Sequence, residues 1–239
     1  MLQSNLIRFA INLFDKFEQK KIVSFLKQKL NYPIVIFDVG AHHGETIKLM
    51  RKNFAIKSIH SFEASPKNYQ TMLQKINNLE LARDVFVNNI GLGDEKKQSS
   101  INQVVESSSS TINEINTNSD YLKKKKKILS FFSKNSFSEK MPINIDRADN
   151  YIHSNQIEKI DLFKIDVEGY EYYVLLGLGN CFSKIKLIYF EHHYDDMIIK
   201  NYKFSDIHEL LMKNGFVNIF KSKMIFRKTF EYIYLNTNH

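Results

Sequence analysis

The sequence predicts an α/β fold: a doubly wound, mostly parallel seven-stranded sheet with helices on both faces and a C-terminal antiparallel hairpin. Three observations carry this expectation. The stretch "IVIFDVG" (34–40) is a continuous apolar run, as a strand buried on both faces requires, and "KIDLFKID" (159–166) and "IKLIYFE" (185–191) read as further core strands. Segments with helix-start signals separate such runs, and alternating strands and helices demand a parallel sheet covered on both sides. The chain closes with "FVNIFKSKMIF" and "FEYIYLN", two strand-like stretches with no helix between them.

Each element follows in order. Apolar residues at Leu2, Leu6, Phe9, Ala10, Leu13, Phe14, Phe17, Ile22, Phe25 and Leu26 give residues 1–32 the spacing of one or two amphipathic helices packed on the core. Acidic residues share their polar face, which argues against a membrane-surface role. The main domain spans 33–239. Its first strand leaves through Gly40 into a helix starting near Gly44. "IKSIHSFEA" (56–64) is the second strand. In "SPKNYQTMLQKIN", Ser65 stands as N-cap and Pro66 at the first helical position. "VFVNNIGLGD" (85–94) reads as a third strand and its exit loop.

Residues 98–140 are polar and low in complexity, the mark of a substrate lid, a binding loop or a mobile insertion. Strand character returns near 141–147 in "MPINIDRADNYI". The strand at 159–166 feeds a helix ending near Gly177 or Gly179. "FSDIHELLMKNGF" (204–216) is a helix with Ser205 at its start and Gly215 past its end.

At 239 residues, 43% hydrophobic and 25% charged, the chain suits one soluble domain with a substantial core. A single cysteine, Cys181, excludes an internal disulfide framework and predicts a reducing, cytoplasmic setting. No apolar run is long enough to span a bilayer. Asp15, Lys16 and Glu18 interrupt any secretory apolar region. The net charge is +8, and five positive charges form one run, Lys123 to Lys127. That run is a solvated loop or an attractor for an anionic substrate such as a nucleotide sugar. Aromatic residues do not interleave with it, so no nucleic-acid partner is expected. The sequence is compatible with a homo-oligomer.

"FDVGAHHGE" is a glycine loop between strand and helix, where a ligand can approach the backbone. Its spacing departs from the G-x-G-x-x-G of dinucleotide sites, so a nicotinamide cofactor is a weak fit. Glu63 ends the second strand, where an acidic side chain can accept both hydroxyls of a ribose.

These residues resemble a known family. "IFDVGAHHGETIKLM", "SFEASPKNYQTM", "NNIGLGDE", "DNYI" and "IDLFKIDVEGYEYYVLLGL" match, in that order, the blocks of the FkbM-type methyltransferases. The resemblance covers roughly residues 34–192. It implies a Rossmann-like class I methyltransferase that uses S-adenosylmethionine, usually on hydroxyls of sugars, glycans or related natural products. On that likeness Asp38, Gly40, Ala41 and the chain through Gly44 contact the methionine portion and Glu63 takes the ribose hydroxyls. Ala64 and the Asn89–Ile90 exit flank the adenine. His42 and His43 lie where the family varies, and they carry no catalytic assignment.

Methyl transfer to a sugar hydroxyl needs a general base, or a metal that lowers the hydroxyl's pKa. Ligands sit outside the carboxyl ends of the strands in an open α/β sheet. Asp166 ends one core strand, with Glu168 two residues on. Glu191, His192 and His193 end the next. Two readings follow. Either His192 or His193 is the base, oriented by Asp166 or Glu191, or Asp166, Glu191 and His192 hold a divalent cation such as Mn²⁺ or Mg²⁺. Glu171 belongs to the helix N-terminus, where carboxylates are favoured. The resulting expectation is an O-methyltransferase acting on a sugar or nucleotide sugar for a surface polysaccharide. The alternatives are a nicotinamide-dependent oxidoreductase, a methyltransferase of RNA or protein, and a non-enzymatic relative that kept the fold.

Overall fold

A computed structural model describes residues 17–78, 82–103, 111–114, 116, 118–119, 139–224 and 228–239. Helix α1 covers 17–29. The order continues β1 (Ile34–Val39), α2 (Glu45–Asn53), β2 (Ile56–Phe62), α3 (Pro66–Asn78), β3 (Val85–Asn88), β4 (Gly91–Gly93), β5 (Lys97–Gln103) and β6 (Glu139–Arg147). Then come α4 (Ala148–Ser154), β7 (Ile160–Ile165), α5 (Glu171–Leu176), β8 (Ile185–His193), α6 (Phe204–Lys213), β9 (Phe216–Lys223) and β10 (Thr229–Asn236). A 3₁₀ turn, Gly179–Lys184, links α5 to β8.

Seven strands form the main sheet in the order β3-β2-β1-β7-β8-β10-β9. The first five run parallel. β10 lies antiparallel between β8 and β9. The apolar run in β1 is buried at every position because alternate residues enter opposite cores. Ile34 and Ile36 pack with α1, α2 and α3. Val35, Phe37 and Val39 pack with α4, α5 and α6. Each such side chain contributes about 1.5–3 kcal/mol through burial.

The helix signals resolve as follows. Ser65 Oγ accepts from the Asn68 N–H at 3.3 Å, so Ser65 caps α3. α5 ends at Gly177. α6 begins at Phe204, one residue before the expected Ser205. There the Asp206 carboxylate accepts the Lys203 N–H at 2.7 Å, and this carboxylate, not the serine, secures the helix start.

The stretch 85–94 is two strands rather than one strand and a loop. β3 stays in the main sheet, and β4 turns away into a second sheet of order β4-β6-β5. The strand expected near 141–147 is β6, which joins this small sheet. Its burial alternates through Ile143 and Ile145, as a strand with one covered face requires. β5, from the start of the polar stretch, pairs antiparallel with β6. The Lys123 to Lys127 run, most of 98–140 and residues 1–16 lie outside the described residues. Among the described residues, no helix is long and apolar enough to cross a membrane.

Candidate active site

The carboxyl ends of β1, β2 and β7 open into a cleft of about 260 Å³. Its floor is Val39, Gly40 and Ala41. Glu63 and Ala64 form one wall, and Lys164, Asp166 and Glu168 another. Leu92, Ile101 and Ile112 from the small-sheet side supply an apolar rim. β4 and β5 therefore complete the cleft, and this explains why the chain leaves the main sheet after β3.

Gly40, just past the end of β1, lies against the backbone of Asp166, just past the end of β7. Its φ is +83, and a Cβ there would lie 1.8 Å from the Asp166 carbonyl oxygen. Gly44 stands at the N-cap of α2. Glu63 Oε2 accepts the His42 N–H at 2.7 Å, and Oε1 accepts the Ser65 N–H at 2.9 Å. Burial pushes this carboxyl above its usual range, and the hydrogen bonds only partly offset that. One acidic side chain thus joins the glycine loop to the end of β2 while still lining the cleft.

Asp38 is fully buried and stands beside Lys164 in the β1–β7 register. Lys164 Nζ lies 3.3 Å from Asp38 Oδ1 and 3.3 Å from Asp166 Oδ2. Burial raises the Asp38 carboxyl, with Lys164 opposing and Asp166 adding to the rise. Burial alone would lower Lys164, but the two carboxylates outweigh it and keep the ammonium charged. Lys164 was not singled out in the sequence, although a lysine inside the apolar run "DLFKI" is itself a sign of a buried charge partner.

The pleat of β8 separates "EHH". Glu191 and His193 point to one side of the sheet and His192 to the other. His192 packs among Tyr194, Tyr202 and Phe204, with ring centroids 4.8, 6.1 and 5.6 Å away. Burial pushes its imidazole down to about 3. The expected set of Asp166, Glu191 and His192 is therefore not brought together, either as a metal site or as a base and its orienting group. His193 takes the place beside Glu191. Its Nε2 lies 3.2 Å from Glu191 and 3.3 Å from Glu168, and its Nδ1 lies 3.7 Å from Asp195. Burial opposes its charge, but Asp195, Glu168 and Glu191 lift it to about 9. These carboxylates favour the protonated form of His193.

Glu231 faces Glu191 across the β8–β10 pair. Its carboxyl is pushed up to about 7, chiefly by burial, and accepts the Tyr189 hydroxyl at 2.6 Å. Glu191 is raised well above its usual range by burial and by Asp166. Glu231 carried no signal in the sequence, because only the pairing of β10 with β8 places it here, whereas Asp195 reaches His193 from two residues further along the same segment.

Of the remaining expected residues, Ala41 and Ala64 line the cleft. Asn89 instead donates its amide to the backbone oxygens of Glu63 and Ala64, at 2.9 and 3.3 Å. Ile90 packs against the core, and Gly91 and Leu92 reach the cleft in their place. Glu171 accepts the Gly169 N–H at 2.8 Å and the Tyr202 hydroxyl, so it holds the turn before α5.

The charged state of His193 gives a testable pH dependence. Folding raises its proton affinity above that of an unfolded histidine, near 6.5. Its stabilisation is complete below about pH 6.5 and is lost as pH rises toward about 9. His193→Gln should flatten the stability curve over that window and lower stability at pH 6 by on the order of 3 kcal/mol. Urea unfolding at pH 6, 7.5 and 9 measures this, and an unchanged slope would refute it.

The sheet order, the antiparallel seventh strand and the cleft at the carboxyl ends define a class I methyltransferase fold. The chain belongs to the methyltransferase FkbM domain family, whose sequence model matches residues 38–217. Among solved structures it is similar to methyltransferase FkbM from Methylobacillus flagellatus KT, with 14% identity and a TM-score of 0.54. That match covers 85% of this chain and 43% of the other, so this chain spans less than half the length of that relative. It is also similar to M. capricolum TrmK in complex with S-adenosyl-homocysteine (10% identity, TM-score 0.53, covering 91% and 68%). A third likeness is magnesium protoporphyrin IX methyltransferase from Synechocystis PCC 6803 with bound S-adenosylmethionine (10% identity, TM-score 0.54, covering 98% and 85%). At such identities these likenesses show the fold alone. A search of curated proteins finds no match.

Proposed function

We propose that this chain is an S-adenosylmethionine-dependent O-methyltransferase. Its acceptor is the hydroxyl of a sugar, as a nucleotide sugar or glycan precursor for a surface polysaccharide. One observation carries the reading. The Asp166 carboxylate, 41% exposed, opens into the same cleft that the Gly40–Ala41 loop and Glu63 line. Family membership and the ligands of the two structural neighbours support it.

The residues present fit the cofactor. The glycine at position 40 leaves the loop backbone bare, Glu63 offers a carboxylate for ribose hydroxyls, and Ala64, Leu92, Ile101 and Ile112 offer an apolar seat for adenine. Bound there, S-adenosylmethionine supplies an electrophilic methyl group. The protein's part is alignment and charge. Asp166 accepts the proton of the acceptor hydroxyl. Lys164 holds Asp166 in place through its 3.3 Å contact. His193 stays protonated and anchors Glu168 and Glu191. No step needs the Asp166–Glu191–His192 cation, because His192 faces the other side of the sheet.

Calorimetry with S-adenosylmethionine and S-adenosylhomocysteine tests the cofactor, and failure to bind either overturns the proposal. Glu63→Gln should weaken S-adenosylhomocysteine roughly tenfold, since hydrogen bonds to a charged group are worth about 1.5–3 kcal/mol. An unchanged affinity would remove Glu63 from the ribose site. A mass-spectrometric screen for methyl gain across nucleotide sugars tests the acceptor. The rate should survive EDTA, and a rate lost on chelation and restored by Mn²⁺ or Mg²⁺ would overturn the metal-independent route.

A further inference from the structure

We infer that His42, His43 and Glu45 form a binding site for a divalent transition metal of the zinc type at the mouth of the cleft. This goes beyond the proposed methyl transfer and does not rest on it. Among the described residues, these three alone bring a ligating atom from each of three His, Cys, Asp or Glu side chains within 4.8 Å of one another. His42 Nδ1 lies 3.2 Å from Glu45 Oε2, and His43 Nδ1 lies 3.8 Å from Glu45 Oε1. A tetrahedral ion with bonds of about 2.0–2.2 Å sets its ligand atoms roughly 3.4 Å apart. The two separations lie on either side of that spacing, one to each oxygen of the Glu45 carboxylate. Small side-chain rotations would close the set.

The local chain builds this arrangement. "HHGE" crosses from the loop into α2, with His42 at φ +49 and Gly44 at the N-cap. The turn lays the two imidazoles together, centroids 3.7 Å apart, and brings Glu45 back beneath them. The Glu45 carboxylate also accepts the His43 N–H at 3.1 Å, which fixes its direction. Two imidazoles and one carboxylate are a donor set suited to Zn²⁺ with a fourth position open. His42 and Glu45 line the cleft, so water or a molecule in the cleft can supply the fourth donor.

Two features oppose a cation and thereby select which one binds. Lys75 Nζ lies 3.4 Å from Glu45 Oε1, and the N-terminus of α2 is electropositive. A hard ion that depends on the field alone is disfavoured. An ion that bonds covalently to imidazole is not. Lys75 is half exposed and can swing away when the ion enters.

The test uses the tag-free full chain, Co²⁺ followed by its visible absorption, and Zn²⁺ and Mg²⁺ by calorimetry. We expect one Zn²⁺ per chain, a tetrahedral Co²⁺ spectrum and no heat with Mg²⁺. His42→Ala or His43→Ala should weaken Zn²⁺ by roughly tenfold or more. Lys75→Met should tighten it several-fold, a gain that misfolding cannot mimic. Equal Zn²⁺ affinity in wild type and the His42→Ala/His43→Ala double variant would overturn the inference. So would a Zn²⁺ signal lost on His193→Gln but kept in the double variant. S-adenosylhomocysteine affinity, measured separately without metal, shows whether the cofactor reading stands.

Discussion

Gly40→Ala is expected to abolish S-adenosylhomocysteine binding and to destabilise the fold by about 3–5 kcal/mol. Two costs add. The first is conformational, because φ at Gly40 is +83, where a side chain strains the backbone. The second is steric. The new Cβ would lie 1.8 Å from the Asp166 carbonyl oxygen and 3.2 Å from Val167 Cγ1. Backbone cannot yield as a side-chain tip can, so β1 and β7 must part at the floor of the cleft. Asp166, Asp38 and Lys164 all sit at that seam. Gly215→Ala is the matched control. Its φ is +82, but the new Cβ meets the Asn238 side chain at 2.4 Å, far from the cleft. That variant should cost about 1–2 kcal/mol and leave binding intact. Urea unfolding and calorimetry on both variants measure the difference. A Gly40→Ala protein that binds the product as wild type does would show that the β1–β7 seam does not form the cofactor floor.

Asp166→Asn is expected to lower the rate of methyl transfer by about 10²–10⁴-fold, the range for loss of a general base. The substitution keeps shape and volume and removes charge and basicity. Lys164 keeps its second partner, Asp38. The Gly40 loop, Glu63 and the apolar rim are untouched, so S-adenosylhomocysteine affinity should stay within several-fold of wild type. Single-turnover rates at saturating acceptor, alongside product binding, separate chemistry from cofactor affinity. A rate within threefold of wild type would remove Asp166 from the chemistry. Equal losses in rate and affinity would make it a structural residue of the cofactor cleft.

The legible parts of the fold are those specified by residues near one another in the chain. "IVIFDV" reads as a doubly buried strand because its apolar residues are consecutive, and β1 is buried at every position. Ser65 and Pro66 mark the start of α3 because capping is a contact within four residues. Gly215 marks the end of α6 for the same kind of reason. β5 was hidden, because "KQSSINQ" is polar and becomes a strand through pairing with residues some forty positions later. "MPINIDR" showed a strand but not its sheet. The alternation in its burial is evidence of one covered face, which suits the small sheet.

The sequence by itself determined the main sheet's elements, the glycine loop, the acidic end of β2 and the family to which the chain belongs. These are properties of contiguous residues, where propensity, capping and apolar spacing act without reference to the rest of the chain. The tertiary structure alone decided which charges meet. Lys164 stands between Asp38 and Asp166 because β1 and β7, 126 residues apart, share a register. Glu231 faces Glu191 because β10 inserts next to β8. His193 rather than His192 joins the acidic group because a strand presents successive side chains to opposite faces. Electrostatic energy depends on distance in space and on burial. Neither can be read from separation along the chain.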